Sequence, residues 1–373
     1  MKTTAYLTIA LLLAPAFVLV APAAELEPLL KTLRAAGPKG AGSREAAAAW
    51  QKLIRCDAAK LPQILAALDG AGPLAANWIG SAADAIAQAQ LGRGGKLPAA
   101  ELQRFVGDVR HAPRARRLAY ELLTRADPSA SERLLPGMLD DPSLELRRDA
   151  VARLIDQTAG LEEAKQADGY TKALFAARDF DQIKLLADRL RKLGRTVDLP
   201  RHFGFIVRWK LIGPFDNAGE QGYAKAYPPE KKTDFAAACD GKKGPVKWID
   251  HISKDDYGRV DFNKVFGEQK DVVAYAAADF IAKQQEEVEF RITSFSAVKL
   301  WVNGRLVDEH NVYHGGSQMD QYVSRAALKP GRNSILVKVC QNAQTQSWAR
   351  RWGFQLRVCD HLGTAILSID RNP

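Results

Sequence analysis

The spacing of apolar residues changes along the chain, and the change falls near Leu199. From Ser43 to about Gly194, apolar residues recur at the three- and four-residue intervals of one helix face. After Leu199-Pro200, apolar and polar residues alternate, as they do along the strands of an antiparallel sheet. The pattern therefore predicts a helical region followed by an antiparallel β-sandwich.

Helix starts are predicted at Ser43 and at Pro98, and a helical hairpin is predicted over residues 170–193. The apolar face of the helix that follows Pro98 is expected to carry three residues: Leu102, Phe105 and Val109.

The helical region also contains an internal echo. Residues 116–123, which begin Arg-Arg-Leu-Ala, match residues 147–154 at an offset of 31. With the preceding Asp141-Pro142 turn, the second segment resembles the later half of a HEAT-type repeat. That resemblance implies hairpins stacked in series, which bury apolar stripes that one hairpin cannot bury alone. An irregular helical domain without true repeats is the alternative.

The sequence of the second half predicts short strands separated by turns. In 288–294, Val288, Phe290 and Ile292 point to one side and the residues between them to the other, which predicts a half-buried strand. Asn303-Gly304 between two apolar runs predicts a tight hairpin, since both central residues must take positive φ. Further strands are predicted at 203–212, 298–302, 305–307, 335–339 and 352–358. Many short strands of this kind indicate a sandwich or a barrel.

The segment 301–307 (WVNGRLV) and the segment 328–339 (LKPGRNSILVKV) together resemble galactose-binding-like jelly rolls. One such module is the sugar-binding domain of family 2 glycoside hydrolases. Residues 209–217 and 227–230 are similar to exported planctomycete-type proteins that carry that module. The resemblance implies a jelly roll over about 203–369 and a carbohydrate ligand. The related calcium-dependent sugar binders have adjacent carboxylates where this chain has 294–297 (SFSA), so a calcium-bridged site is not expected.

The first residues predict export. Ala5 to Val20 is almost entirely apolar, and Ala21-Pro22-Ala23 has the small-x-small pattern of a cleavage site. A retained membrane anchor is the alternative, although the apolar run is shorter than the ~20 residues that a spanning helix needs. The predicted organisation is a signal peptide at 1–23, a linker at 24–42, a helical-repeat domain at 43–198 and the sandwich at 199–373. The destination would be the periplasm, the cell envelope or the outside of the cell.

Composition is that of a globular chain, with 53 basic and 43 acidic residues and a net charge of +10. Because the basic residues are interleaved with acidic ones, a nucleic-acid partner is not expected. In an oxidising compartment, one disulfide among Cys239, Cys340 and Cys359 is plausible, and spacing does not choose the pair.

The sequence lacks a Gly-x-Ser-x-Gly elbow, an HExxH helix and a phosphate-binding glycine loop. His310 and His314 would be neighbours on a helix, but on a strand they lie ~13 Å apart, so no metal site is predicted. No cofactor is expected, and a catalytic role is the less favoured reading.

The candidate ligand-binding residues are aromatic rings with hydrogen-bonding neighbours. They fall in two loop segments and on one strand: Asn311, Tyr313 and Gln318; Trp348, Arg350 and Arg351; and Trp301. The alternative is that Trp348 packs over the end of the sandwich with Arg350 covering it.

Three functions remain open on this sequence. The first is an exported binding protein whose sandwich binds a glycan or another cell-envelope component. The second is a scaffolding protein that makes protein–protein contacts, with an envelope protein bound by the helical repeats. The third is a carbohydrate-active hydrolase or lyase, which would need two carboxylates ~5–10 Å apart in a cleft.

Overall fold

The structure is a computed structural model that describes residues 26–316 and 318–371. The predicted signal peptide at 1–23 lies outside the described residues. Among the helices of the described residues, none has the length and apolar character needed to cross a membrane.

The chain forms two compact units, Met1–Leu134 and Leu135–Pro373. The helices of the first unit are α1 Leu26–Arg34, α2 Ser43–Leu53, α3 Leu61–Ala66, α4 Pro73–Gly92, α5 Ala99–Gly107, α6 Pro113–Ala126 and α7 Ala130–Leu134. The second unit begins with α8 Leu144–Ala159, α9 Glu163–Ala176, α10 Phe180–Lys192 and α11 Leu199–Phe203. The predicted order, helices before sheets, is confirmed, and the helical region itself contributes to both units.

Three details differ from the sequence prediction. The segment predicted as a linker contains α1, because Leu30 and Leu33 lie on one helix face and are buried. Val109 is exposed because α5 ends at Gly107, before the third predicted face position. The strand predicted from Phe203 starts only at Arg208, because Phe203 is the last residue of α11 and Gly204 ends that helix with φ of 82°.

Both segments of the echo lie in helices, α6 and α8. Their first arginines, Arg116 and Arg147, are buried, and each donates its Nε hydrogen to a backbone carbonyl, that of Val106 and that of Asp141, over 2.8 Å. An arginine that ties its helix to the preceding segment is therefore common to both copies. HEAT-type repetition stays a prediction.

The rest of the second unit is built mainly from strands. They are β1 Arg208–Asp216, β2 Ala238–Gly241, β3 Gly244–Lys247, β4 Ile249–Ile252, β5 Val260–Asp261, β6 Val272–Ala282, β7 Glu286–Ser294, β8 Val298–Val302, β9 Arg305–His310, β10 Tyr322–Leu328, β11 Gly331–Gln341 and β12 Gly353–Cys359. Two short helices are interspersed, α12 Pro228–Lys231 and α13 Phe262–Phe266. A six-stranded sheet has the order β4-β1-β6-β11-β8-β9, a four-stranded sheet the order β10-β7-β12-β5, and β2 and β3 pair as a hairpin. All neighbouring strands are antiparallel, as the alternation predicted.

The two larger sheets enclose one apolar core. Val288, Phe290 and Ile292 of β7 lie in it, together with the inward residues of β6, β8, β11 and β12. The opposite face of β7 is not solvated as predicted: Glu289 and Thr293 are buried as well. Residues 318–320 and the C-terminal segment lie against that face, where Thr293 donates to the Gln318 carbonyl and Arg291 pairs with Glu289 and Asp320 and donates to the His361 carbonyl.

Two turns predicted from the sequence, at 303–304 and at 330–333, form as expected. Asn303 and Gly304 have φ of 53° and 77°, which confirms the tight hairpin between β8 and β9. The buried amide of Asn333 holds the turn before β11: it donates to the carbonyls of Lys329 and Gly331 and accepts from the Lys329 N–H. The Pro-Gly-x-Asn motif is thus a turn closed by its own last residue.

A second apolar layer covers the outer face of the six-stranded sheet. Within it, Lys338 of β11 is fully buried, and its Nζ donates to the carbonyls of Tyr223 (3.1 Å) and Lys225 (2.8 Å) and to Glu230 (2.8 Å). The Tyr275 hydroxyl donates to the same Glu230 carboxylate. One buried cation therefore fastens the segment 223–230 to the sheet.

In the described part of the chain the cysteines are free thiols, so the disulfide considered from the sequence does not form. Cys340 and Cys359 point outward from different sheets, on opposite sides of the core, and Cys239 lies in the β2–β3 hairpin. Sheets pack about 10 Å apart, which is too far for the first pair to be bridged. Burial raises the pKa of Cys340 to about 12 and that of Cys359 to about 11.

Candidate functional site

The strand register brings five chain segments to one end of the sandwich. Val272, the first residue of β6, lies opposite both Asp216 and Gln341, the last residues of β1 and β11. Val298, the first residue of β8, lies opposite His310, the last residue of β9. The loops at 217–223, 267–271, 295–297, 311–321 and 342–352 therefore meet there. Both predicted ligand-binding loops belong to this group, which we call the loop end.

Buried side-chain amides fix the loop end. Asn217 donates to the Gln341 carbonyl (3.0 Å) and to the Tyr313 hydroxyl (3.2 Å). The Gln341 side chain donates to the carbonyl of Ala349 (3.1 Å), and Asn342 donates to Glu220 (3.0 Å). Asn217 and Asn342 join segments that are far apart in sequence, and Gln341 fastens the loop that follows it, so the surface above them is held in one arrangement.

Trp348 is the most exposed aromatic ring of the loop end, with 60% of its surface accessible. It lies in a short 3₁₀ turn, Ser347–Ala349, whose last residue is buried. Its ring contacts His314 edge to face, with the centroids 5.3 Å apart. His314 Nε2 is 2.9 Å from the Asn342 Oδ1 atom. Because an amide oxygen accepts, Nε2 is the donor, and in the neutral ring Nδ1 is the acceptor. The alternative in which Trp348 is packed away does not hold.

A cleft of about 190 Å³ lies beside this surface and is lined by arginines. The guanidinium groups of Arg259 and Arg351 lie 5.4 Å and 5.2 Å from the centroid of the Phe295 ring. Arg350 also lines the cleft. Burial lowers the pKa of the nearby Lys270, and the charge of Arg350 contributes to that shift.

The other candidates in the first loop are placed differently. Tyr313 is half-buried against the outer apolar layer, and its hydroxyl is engaged by Asn217, so it offers no free platform. Burial raises its pKa, which keeps the phenol protonated. Asn311 and Gln318 are exposed, and the Gln318 carbonyl accepts from Thr293. Of the seven candidates, three lie on the exposed surface around Trp348 or in the adjacent arginine-lined cleft: Trp348, Arg350 and Arg351.

Trp301 belongs to another groove, on the outer face of the six-stranded sheet. It lies opposite Leu336 of β11, and Gln341 at the loop end is the fifth residue after Leu336, about 17 Å further along the strand. The groove measures about 220 Å³ and is also lined by Phe235 and Arg332. Trp301 therefore does not join the other candidates.

The two histidines considered as metal ligands diverge. His310 stacks on Tyr322 with centroids 3.5 Å apart, whereas His314 contacts Asn342 and Trp348. In the described residues, no group of three histidine, cysteine or acidic side chains is placed to hold a metal ion.

A larger cleft, about 770 Å³, lies between α9, α10, α11 and residues 363–367. Its most buried cation, Arg178, donates to the carbonyls of Phe175 and Ala177 at the end of α9 and to Thr364. Asp198 caps α11 through the Arg201 N–H. These polar groups serve helix ends, so we place the candidate site at the loop end.

Sequence reasoning missed several residues of the site, namely Glu220, Arg259, Phe295 and Asn342. Arg259 reaches Phe295 and the 350–351 segment only through the fold, because they are distant in sequence. Nothing in the local pattern around Gly258 signals that contact.

No protein-family model matches the chain, and no curated protein sequence matches it. Among solved structures, it is similar to a β-glucosidase from Kluyveromyces marxianus in complex with glucose, with 14% identity, a TM-score of 0.23, and 30% of this chain and 14% of that chain covered. A β-glucuronidase from Ruminococcus gnavus has 12% identity and a TM-score of 0.24, with 41% of this chain and 28% of that chain covered. An anti-sigma factor domain-containing protein from Clostridium clariflavum has 10% identity and a TM-score of 0.25, with 44% and 45% covered. The chain spans less than half the length of each, and at these scores the likenesses decide neither family nor function.

Proposed function

We propose that this chain is an exported binding protein whose loop end binds carbohydrate. The observation that supports it is the exposed Trp348 ring, held beside His314 on a surface fixed by buried amides. A rigid, exposed ring costs little entropy when a sugar face covers it, because its orientation is already set. The hydrogen-bonding groups around it, from His314 and Arg350, suit sugar hydroxyls.

The magnitude sets the expected affinity. A ring that covers ~100 Å² of a sugar face contributes at most ~2.5 kcal/mol at ~25 cal/mol/Å². A millimolar complex needs ~4 kcal/mol, so Trp348 must act together with hydrogen bonds from its neighbours. We therefore expect binding in the millimolar range for a short oligosaccharide and tighter retention on a polymer, where several units are offered.

The test is retention of the purified protein on insoluble and gel-embedded polysaccharides. Wild type is compared with Trp348→Ala, with Trp301→Ala in the other groove, and with Phe175→Ala, a 71% exposed aromatic on α9 that serves as the matched control. Loss of retention in Trp348→Ala alone supports the proposal. Retention by all three variants, or by none of the proteins including wild type, overturns it.

The other two functions are outcomes of the same work. Co-isolation of envelope proteins that is unchanged in Trp348→Ala, with no polysaccharide retained, would favour scaffolding. Release of reducing ends during incubation would make the chain an enzyme. Export is tested by the mass of the secreted protein, which should begin at Ala24.

A further inference from the structure

The arginine-lined cleft next to Trp348 has a composition that a neutral sugar does not require. Arg259 and Arg351 both face the Phe295 ring, so their guanidinium carbons lie no more than about 11 Å apart. Arg350 lines the same cleft, and the Lys270 ammonium donates to the neighbouring Ala349 carbonyl at 2.8 Å. Three arginines therefore line a volume of about 190 Å³, and the Lys270 ammonium lies next to the segment that carries two of them.

The negative charge at this cleft is small. Asp261 is the one acidic side chain among the described residues that line it, and its Oδ1 atom accepts from the Asn263 N–H. Arg259 and Arg350 are exposed and form no ion pair within the described residues. Like charges that line one cleft repel one another, and an anion placed among them would relieve that repulsion. Guanidinium groups are also the side chains best suited to two-point contact with a carboxylate or sulfate.

We infer that the carbohydrate bound at the loop end is acidic, with a carboxylate or sulfate ester held by Arg259 and Arg350 while a neighbouring sugar ring lies on Trp348. The inference rests on the proposed function and specifies its ligand. The two parts lie close enough for one oligosaccharide, because the Cα atoms of Trp348 and Arg350 are separated by at most about 7 Å.

The test uses matched polymers and matched variants of the full chain. The polymers are polygalacturonate, which carries carboxylates, its fully methyl-esterified form, which is neutral, and dextran sulfate beside dextran. The variants are Arg259→Gln/Arg350→Gln and a control, Arg208→Gln/Arg305→Gln. The control changes two arginines that are also exposed and unpaired in the described structure, and it alters the net charge equally. Affinity is measured by gel retardation at several salt concentrations.

We expect the cleft variant to bind the acidic polymer at least tenfold more weakly, and the control to change by less than twofold. Binding of the neutral form should be weak in wild type and equal in both variants. Preference for polygalacturonate over dextran sulfate would identify the anion as a carboxylate, and the reverse would identify a sulfate.

Three results are decisive against the inference. Equal losses in the two double variants would mean that only the net charge of +10 attracts the polymer. Trp348-dependent retention of neutral polymers without preference for acidic ones would refute the acidic ligand and leave the proposed function standing. Absence of any retention would refute both. Because all four arginines are exposed, melting temperatures within about 2 °C of wild type are expected, and they verify folding.

Discussion

Replacing Glu230 by glutamine should lower the free energy of unfolding of the second unit by about 3 kcal/mol. Glutamine keeps the size of the side chain and an oxygen that accepts from Lys338 and Tyr275, so the substitution removes mainly the charge. Lys338 is fully buried, and two backbone carbonyls satisfy its remaining donors without neutralising it. Breaking a buried ion pair costs about 3–5 kcal/mol, and the slight exposure of Glu230 puts the expected value at the lower end.

The matched control is Asp250→Asn on the same sheet. Lys210 Nζ lies 2.6 Å from the Asp250 carboxylate, but both side chains are exposed, at 40% and 82%. An exposed pair contributes about 0–1 kcal/mol, so this variant should differ little from wild type. The comparison separates the effect of burial from that of close contact.

The measurement is urea unfolding followed by near-ultraviolet circular dichroism, to which the buried Trp209 and Trp352 of the sandwich core contribute. Lys338→Met/Glu230→Gln completes a double-mutant cycle, and we expect a coupling energy of about 2 kcal/mol. If Glu230→Gln shifts the transition no more than Asp250→Asn, the buried cation does not hold the 223–230 segment. That segment contributes to the wall of the Trp301 groove, so this wall would then not be fixed by the buried ion pair.

Further predictions concern the turn, the buried arginine, acid stability and the exposed ring. Asn333→Ala should cost about 2–4 kcal/mol in urea unfolding, because the turn loses a buried side chain that makes several hydrogen bonds; a cost below 1 kcal/mol would contradict this. Asp320→Asn should cost about 3 kcal/mol, since Arg357, 3% exposed, keeps no carboxylate. Burial alone would raise the pKa of Asp320, but its arginine partners lower it, so this stability should be lost as pH falls below about 4. Burial and two arginines lower the pKa of His202 to about 4, so between about pH 6.5 and 4 only the unfolded state takes up the proton. The free energy of unfolding should therefore decrease as the pH is lowered from about 6.5 to 4. In His202→Gln, Tm should depend less on pH over this range. Trp348→Ala should leave Tm within about 1 °C of wild type, because the ring is mostly exposed; a large drop would mean that the ring is structural.

The sequence predicted those structural features that depend on residues close together in the chain. The change from helical to alternating periodicity predicted the order of helices and sheets, since burial of one face imposes a period on each element. Asn303-Gly304 predicted its hairpin because few residues tolerate positive φ at both positions. The start of α2 at Ser43 was likewise predicted by position.

The tertiary structure decided what depends on residues distant in sequence. The alternation of apolar and polar residues along β7 predicted a solvated outer face. That face is buried, because residues distant from β7 in sequence pack against it. Cysteine spacing left a disulfide open, whereas the separation of the two sheets excludes the Cys340–Cys359 pair.

The same distinction holds for the candidate site. Composition singled out Trp348, Arg350 and Arg351 because an aromatic ring beside planar donors is unusual within one short loop. Their meeting with His314 and Phe295 required the strand register that brings five loops to one end of the sandwich, and Arg259 reaches them because β5 pairs with the start of β12. Trp301 has the same local chemistry but lies about 17 Å along the sheet, because a side chain's neighbours across a sheet are set by pairing and not by sequence.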